Sequence, residues 1–169
     1  MLAHHYRQAE EPEKERHYAC LAGEQAARQY ANDEAVAFLS RALSLTPGEA
    51  LAERYGLLLT REKVYQVLGE REAQGADLKE LAELAEVLDD TGRRAEVMLR
   101  QAYFHEVTGD YAAAIAAAQR AIDLAQGRED RVAEAAGQLQ WGRTLWTQGE
   151  GAGARRQLDQ ALALARQVA

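Results

Sequence analysis

The sequence predicts an all-α protein built as an array of stacked helix pairs, and three observations carry that reading. First, small or polar positions recur every 39 to 40 residues, at Gly23, Glu62, Ala102 and Gly142. The series Ala35, Gln74, Ala114, Ala154 and the series Ala42, Leu81, Ala121, Ala161 keep the same spacings. Self-similarity at this period marks units too small to bury their own apolar face, which stack to share a core. Second, Ala, Leu, Glu, Gln and Arg abound while prolines number only 2, a composition that favours helix. Third, no run of residues alternates apolar and polar between turn signals, as a half-buried strand would.

Turn chemistry divides the chain. The breaks fall at Glu11-Pro12, Asn32-Asp33, Thr46-Pro47-Gly48, Gly69, Asp89 to Gly92, Gly109-Asp110, Gly127, and Gly149 to Gly153. Between them about nine helices are expected, near 2–10, 13–31, 33–45, 49–68, 72–88, 93–108, 111–126, 129–148 and 152–167. Asp33 and Asp110 are expected to accept orphan backbone N–H groups at helix starts. Gly69, Gly109 and Gly149 suit the left-handed conformation that closes a helix. Connections this short fold each helix back antiparallel to the one before.

The distance from the first small position of a unit to the late alanine-like position of its second helix is 19 residues in every unit. The joins between units vary by one residue, so the helix–turn–helix is the constant piece. Its small residues let two helix axes approach, and Leu39, Leu78 and Leu158 are expected to fill the gap between units. Trp141, beside Gly142, is expected in the core.

Ala102, Gly109-Asp110-Tyr111-Ala112-Ala113-Ala114-Ile115, Ala118 and Ala121 together resemble a tetratricopeptide repeat. So do Gly23, Ala35, Leu39, Ala42 and Pro47, and Trp141-Gly142, Gly149, Ala154, Leu158 and Ala161. Unit two departs, with Glu62 and Gln74 where the family has small residues. The sequence leaves open whether Glu62 is exposed or paired with an Arg. The period also exceeds the family's usual length of about 34 and approaches that of HEAT arrays, about 40–47. Gly-Asp-Tyr and the constant internal spacing favour the tetratricopeptide reading. The resemblance implies a right-handed α–α superhelix of about four units plus an N-terminal helix. It also implies that the first helix of each pair lines a concave binding face. Mapped here, that face carries Lys63 and Gln66, then Arg100, Tyr103 and Glu106, then Gln140, Arg143 and Trp146. Trp, Tyr and Arg are the residue types that anchor recognition surfaces. The chaperone-tail clamp of some family members is not expected, because Glu24, Lys63, Tyr103 and Arg143 stand at its Asn position.

Residues 2–45 carry a finer resemblance. Leu2 to His5, Glu11-Pro12-Glu13-Lys14, Leu21 to Ala26 and Tyr30 to Ala35 run in the order seen in tetratricopeptide regions of large bacterial ATP-binding regulators, LuxR-type activators and nucleotide-cyclase fusions among them. That likeness implies one array over 1–169, part of a longer protein. It would sense or scaffold, binding a protein or peptide, with small-molecule inducer sensing as the alternative.

Charge and chemistry narrow the classes. Net charge is −7, with 18 acids and 10 bases in residues 1–90 against 9 and 10 in residues 91–169. Affinity for nucleic-acid backbones needs clustered cations, so no nucleic acid is expected. No apolar run is long enough to span a membrane, and a single cysteine cannot form an internal disulfide, which points to the cytoplasm. No phosphate loop, nucleophile elbow or zinc-protease motif occurs, and no enzyme or cofactor is expected. Gly149 to Gly153 lacks a preceding strand and a following Lys, so it reads as a turn. His17 and Cys20 share a helical face and, with His4 or His5, could supply metal ligands, but ordinary placement is the stronger reading. Cys20 as a nucleophile lacks an evident oxyanion donor. Leu158, Leu162, Ala165 and Val168 recur along the last helix, where an uncovered apolar strip is expected to support a homodimer.

Overall fold

The computed structural model describes residues 11–168, and among these it contains eight α-helices and no strand. They are α1 (Pro12–Arg28), α2 (Asn32–Leu45), α3 (Leu51–Leu68), α4 (Arg71–Val87), α5 (Thr91–Thr108), α6 (Tyr111–Gln126), α7 (Arg131–Thr147) and α8 (Gly151–Val168). The helix expected over 2–10 lies outside the described residues. The chain forms two compact units, Met1–Leu84 and Ala85–Ala169, with α4 crossing from one into the other.

In the first unit, α1 and α2 close on a glycine. A β-carbon at Gly23 would sit 2.8 Å from Leu39 Cγ, so only a bare backbone admits that leucine. Leu39 therefore packs within its own helix pair, not between units as the sequence suggested. Ala19, Ala35, Leu39 and Ala42 are fully buried around this contact. Arg41 adds a two-pronged bond to the buried Glu15, at 2.8 and 2.9 Å.

The α3–α4 pair solves its departure from the pattern in place. Glu62 and Gln74, both 0% exposed, meet each other: Gln74 Nε2 donates to Glu62 Oε1 at 2.7 Å. Arg71 in turn donates to Gln74 Oε1 at 2.6 Å. Glu62 is thus buried, not exposed, and across this contact its carboxylate accepts from an amide. A polar bridge stands where the other pairs carry small residues, and it leaves no buried polar group of Gln74 stranded. One turn away, Arg61 grips buried Asp77 at 2.6 and 3.0 Å and reaches Ser40 of α2 at 2.9 Å. Burial lifts the Asp77 carboxyl above its ordinary range, and the Arg61 guanidinium opposes that rise. Leu58 and Leu81, both fully buried, supply apolar weight of about 2 kcal/mol each.

In the second unit, α6 is an alanine face. Ala114, Ala118, Ala121 and Ala125 are fully buried, and Trp141 of α7 packs on Ala102, Ala117 and Ala118. The α7–α8 contact repeats the glycine device, since a β-carbon at Gly142 would lie 2.9 Å from Leu158 Cγ. Leu158, like Leu39, packs inside its own pair. Further along α8, Leu162 and Val168 are exposed.

Helix ends follow one rule with instructive exceptions. Gly69, Gly109 and Gly149 close α3, α5 and α7 with φ of 77°, 86° and 82°. Tyr30 occupies the equivalent place after α1 with φ 58°, a conformation costing a side-chain-bearing residue about 1 kcal/mol. It ends α1 at Arg28, three residues before the sequence-derived end. Glu129, at φ 55°, likewise delays α7 to Arg131. Asp110 caps α6 as expected, its carboxylate accepting from Ala113 N at 3.0 Å. Asp33 does not cap: α2 starts at Asn32, with Ala31 at the cap position and no side-chain bond. Asp90 and Asp130 cap α5 and α7 instead, through Arg93 N at 3.1 Å and Ala133 N at 3.0 Å.

Candidate functional site

The eight positions selected from the sequence divide between the two units. Lys63 and Gln66 stand on α3 in the first. Lys63 is exposed; Gln66 is half-buried, and its backbone carbonyl accepts from Arg71 Nη1 at 3.4 Å.

The other six stand on neighbouring helices of the second unit. Helix α5 presents Arg100, Tyr103 and Glu106 at intervals of three, and α7 presents Gln140, Arg143 and Trp146 at the same intervals, so each set shares a helical face. The structure links four of them, Glu106, Gln140, Arg143 and Tyr103, through one carboxylate and one guanidinium. The Gln140 amide donates to Glu106 Oε2, and Arg143 Nη2 lies 3.6 Å from Glu106 Oε1. The Arg143 guanidinium also sits over the Tyr103 ring, 5.6 Å from its centroid. Arg100 turns to Glu96 on its own helix, 3.3 Å away.

Burial separates the roles. Glu106 and Gln140 are nearly buried and turn their polar atoms to each other, so they orient their neighbours. Arg143 is about half-exposed at 48% and Trp146 is 70% exposed. Solvent therefore meets a guanidinium steadied by a ring and a carboxylate, with an uncovered indole three residues on. A cation over a ring at an exposed site contributes about 0.5–1 kcal/mol. That suffices to favour one rotamer of Arg143 while leaving its outer N–H groups available. The two tryptophans divide as their positions suggest, Trp141 inward and Trp146 outward.

Cys20 is half-buried, and its thiol donates to Glu24 Oε1 at 3.7 Å. Burial and the Glu24 charge push its pKa up to about 11, so at neutral pH it is a thiol, a poor nucleophile and a poor metal ligand. His17 lies edge-on to Tyr18, with centroids 5.3 Å apart. His4 and His5 lie outside the described residues, and among the described residues no three His, Cys, Asp or Glu groups are gathered to hold a metal. Gly149 lies in the turn before α8, whereas Gly151 and Gly153 belong to α8 itself, so the turn expected over Gly149 to Gly153 ends at Glu150. No described helix is long and apolar enough to cross a membrane.

Sequence reasoning did not find a second concavity, a cleft of 360 Å³ in the first unit lined by Glu24, Ala27, Arg28, Tyr30, Asn32, Thr60, Lys63, Val64 and Val67. One signal was present: Tyr30 stands where the other three units carry glycine.

No protein-family model and no curated protein matches the sequence. Solved structures do. BtubC (BKLC) from P. vanneervenii superposes with a TM-score of 0.80 at 18% identity over 94% of this chain; the chain spans 66% of BtubC's length. The MamA protein superposes with a TM-score of 0.51 at 17% identity, over 89% of this chain and 92% of that one. Both are helical-repeat proteins, and at these identities the likeness establishes the fold: an all-helical, tetratricopeptide-like repeat.

Proposed function

We propose that this chain is a non-catalytic protein-interaction module, a sensor or scaffold segment of a bacterial signalling or transcription regulator, as its N-terminal resemblance suggests. It takes a protein or peptide on the α5–α7 face. The observation that carries this reading is Trp146, left 70% exposed beside an oriented Arg143. A large indole in water contributes little to the fold, whereas in an interface it supplies the area and rigidity of an anchor. Tyr103, Glu106 and Gln140 hold the patch in shape, and Arg100 extends it along α5.

The test is affinity capture from source-cell lysate with the intact chain and with an Arg143→Glu/Trp146→Ala variant of verified helicity. A protein retained by the first and lost by the second is the expected result. Identical partners on both would overturn the assignment of this face. The second reading, small-molecule sensing, is favoured by the cleft in the first unit.

A further inference from the structure

Four turns of this chain are equivalent by position, ending α1, α3, α5 and α7. Three are closed by glycine, the residue for which a positive φ is free. The fourth is closed by Tyr30, which holds φ 58° and is 78% exposed. Its side chain has no hydrogen-bond partner among the described residues, and so little of it is buried that packing does not explain its presence. A strained, bulky residue with nothing structural to offset it is where a functional cause is sought.

The surroundings of Tyr30 supply one. Its ring lines the 360 Å³ cleft between the end of α1, the turn into α2 and one face of α3. Ala27, Val64 and Val67 form an apolar floor, and Val67 is itself 64% exposed. Around the floor stand polar groups of two kinds. Arg28 and Glu24 are already engaged with each other at 3.4 Å. Lys63 and the Asn32 amide have no side-chain partner among the described residues. The lining carries two cations and one acid, a local excess of positive charge within a half that is net −8. At 360 Å³ the cleft falls at the small end of the range for ligand pockets.

We infer that this cleft binds a small organic acid with one apolar, ring-sized body. The body rests on Val64 and Val67 under the Tyr30 ring, and the carboxylate meets the Lys63 ammonium and the Asn32 amide. This site stands apart from the α5–α7 face and does not depend on the peptide reading. It gives the small-molecule reading a place and a ligand class.

The experiment uses the whole chain, labelled with nitrogen-15, and three probes: phenylacetate, its neutral isostere phenylacetamide, and acetate. Phenylacetate is expected to shift the amide signals of Tyr30, Asn32, Lys63 and Val64 with saturable binding. The amide and acetate should bind about tenfold more weakly, the one lacking charge and the other lacking a body. Two variants complete the test. Tyr30→Gly removes the backbone strain, so it should raise the melting temperature while weakening phenylacetate. Lys63→Gln should abolish the preference for acid over amide without lowering the melting temperature. Because the first variant is expected to be more stable than the parent, lost binding cannot be ascribed to unfolding. Absence of saturable shifts at these residues, equal binding of acid and amide, or unchanged binding by Tyr30→Gly would each overturn the proposal.

Discussion

A methyl group added at Gly142 would lie 2.9 Å from Leu158 Cγ and 3.2 Å from the Ala154 carbonyl oxygen, and the carbonyl, being backbone, cannot turn aside. Gly56, also inside a helix, has nothing within 4 Å of that point. The same substitution should therefore act in opposite directions. Gly142→Ala is expected to destabilise by about 1–3 kcal/mol through overpacking. Gly56→Ala should stabilise by about 0.5–1 kcal/mol by restraining the unfolded chain. Urea titrations of both variants measure this, and shifts of the same sign would contradict the packing described. Cys20 gives a second expectation. Burial and Glu24 disfavour the thiolate, so iodoacetamide should react along a pH profile with its midpoint near 11, moving down in Glu24→Gln. The folded chain holds this proton more tightly than the unfolded one. Its contribution to stability is thus complete below the free thiol's pKa and lost as pH rises through 11.

At the scale of the element, the telling pair is Glu62 and Gln74. Glu62→Ala leaves the Gln74 amide without its carboxylate, and Gln74→Ala takes a donor from a fully buried acid. Each should cost about 1–3 kcal/mol. Made together, they restore the two small side chains that Ala102 and Ala114, both fully buried, carry at the equivalent positions of α5 and α6. The double variant should then lose at least about 1 kcal/mol less than the sum of the singles. Strict additivity in thermal or urea melts would show that the two side chains are not coupled. The sequence located both residues, because they break a repeating pattern, but not their contact. Two polar intruders in register look like two defects until the helices are paired. Helix ends were legible wherever glycine marked them and displaced wherever Tyr30 or Glu129 took up the same backbone shape, since composition does not reveal a left-handed tyrosine.

Over the whole molecule, the array was legible because close helix contacts demand small residues at fixed intervals, and Gly23, Ala102 and Gly142 meet that demand. The candidate face was legible only in part. Helical spacing put Tyr103, Arg143 and Trp146 outward, but the contact of Gln140 with Glu106, 34 residues apart, follows from how α5 and α7 pack. The pair Glu62–Gln74 carries a further consequence, for fidelity of assembly. A chain of look-alike units can fold a helix against the wrong neighbour, and such exchanges are a common failure of repeat proteins. The positions equivalent to Gln74 are Ala35, Ala114 and Ala154, each offering a methyl group. Laid against α2, α6 or α8, α3 would seal its carboxylate into an apolar seam, a heavy desolvation penalty. Glu62 is thereby expected to favour α4 over those three helices. Rapid refolding of Glu62→Ala/Gln74→Ala should yield more exchanged dimer by size-exclusion chromatography than the parent, and equal monomer yields would deny the pair this part in assembly.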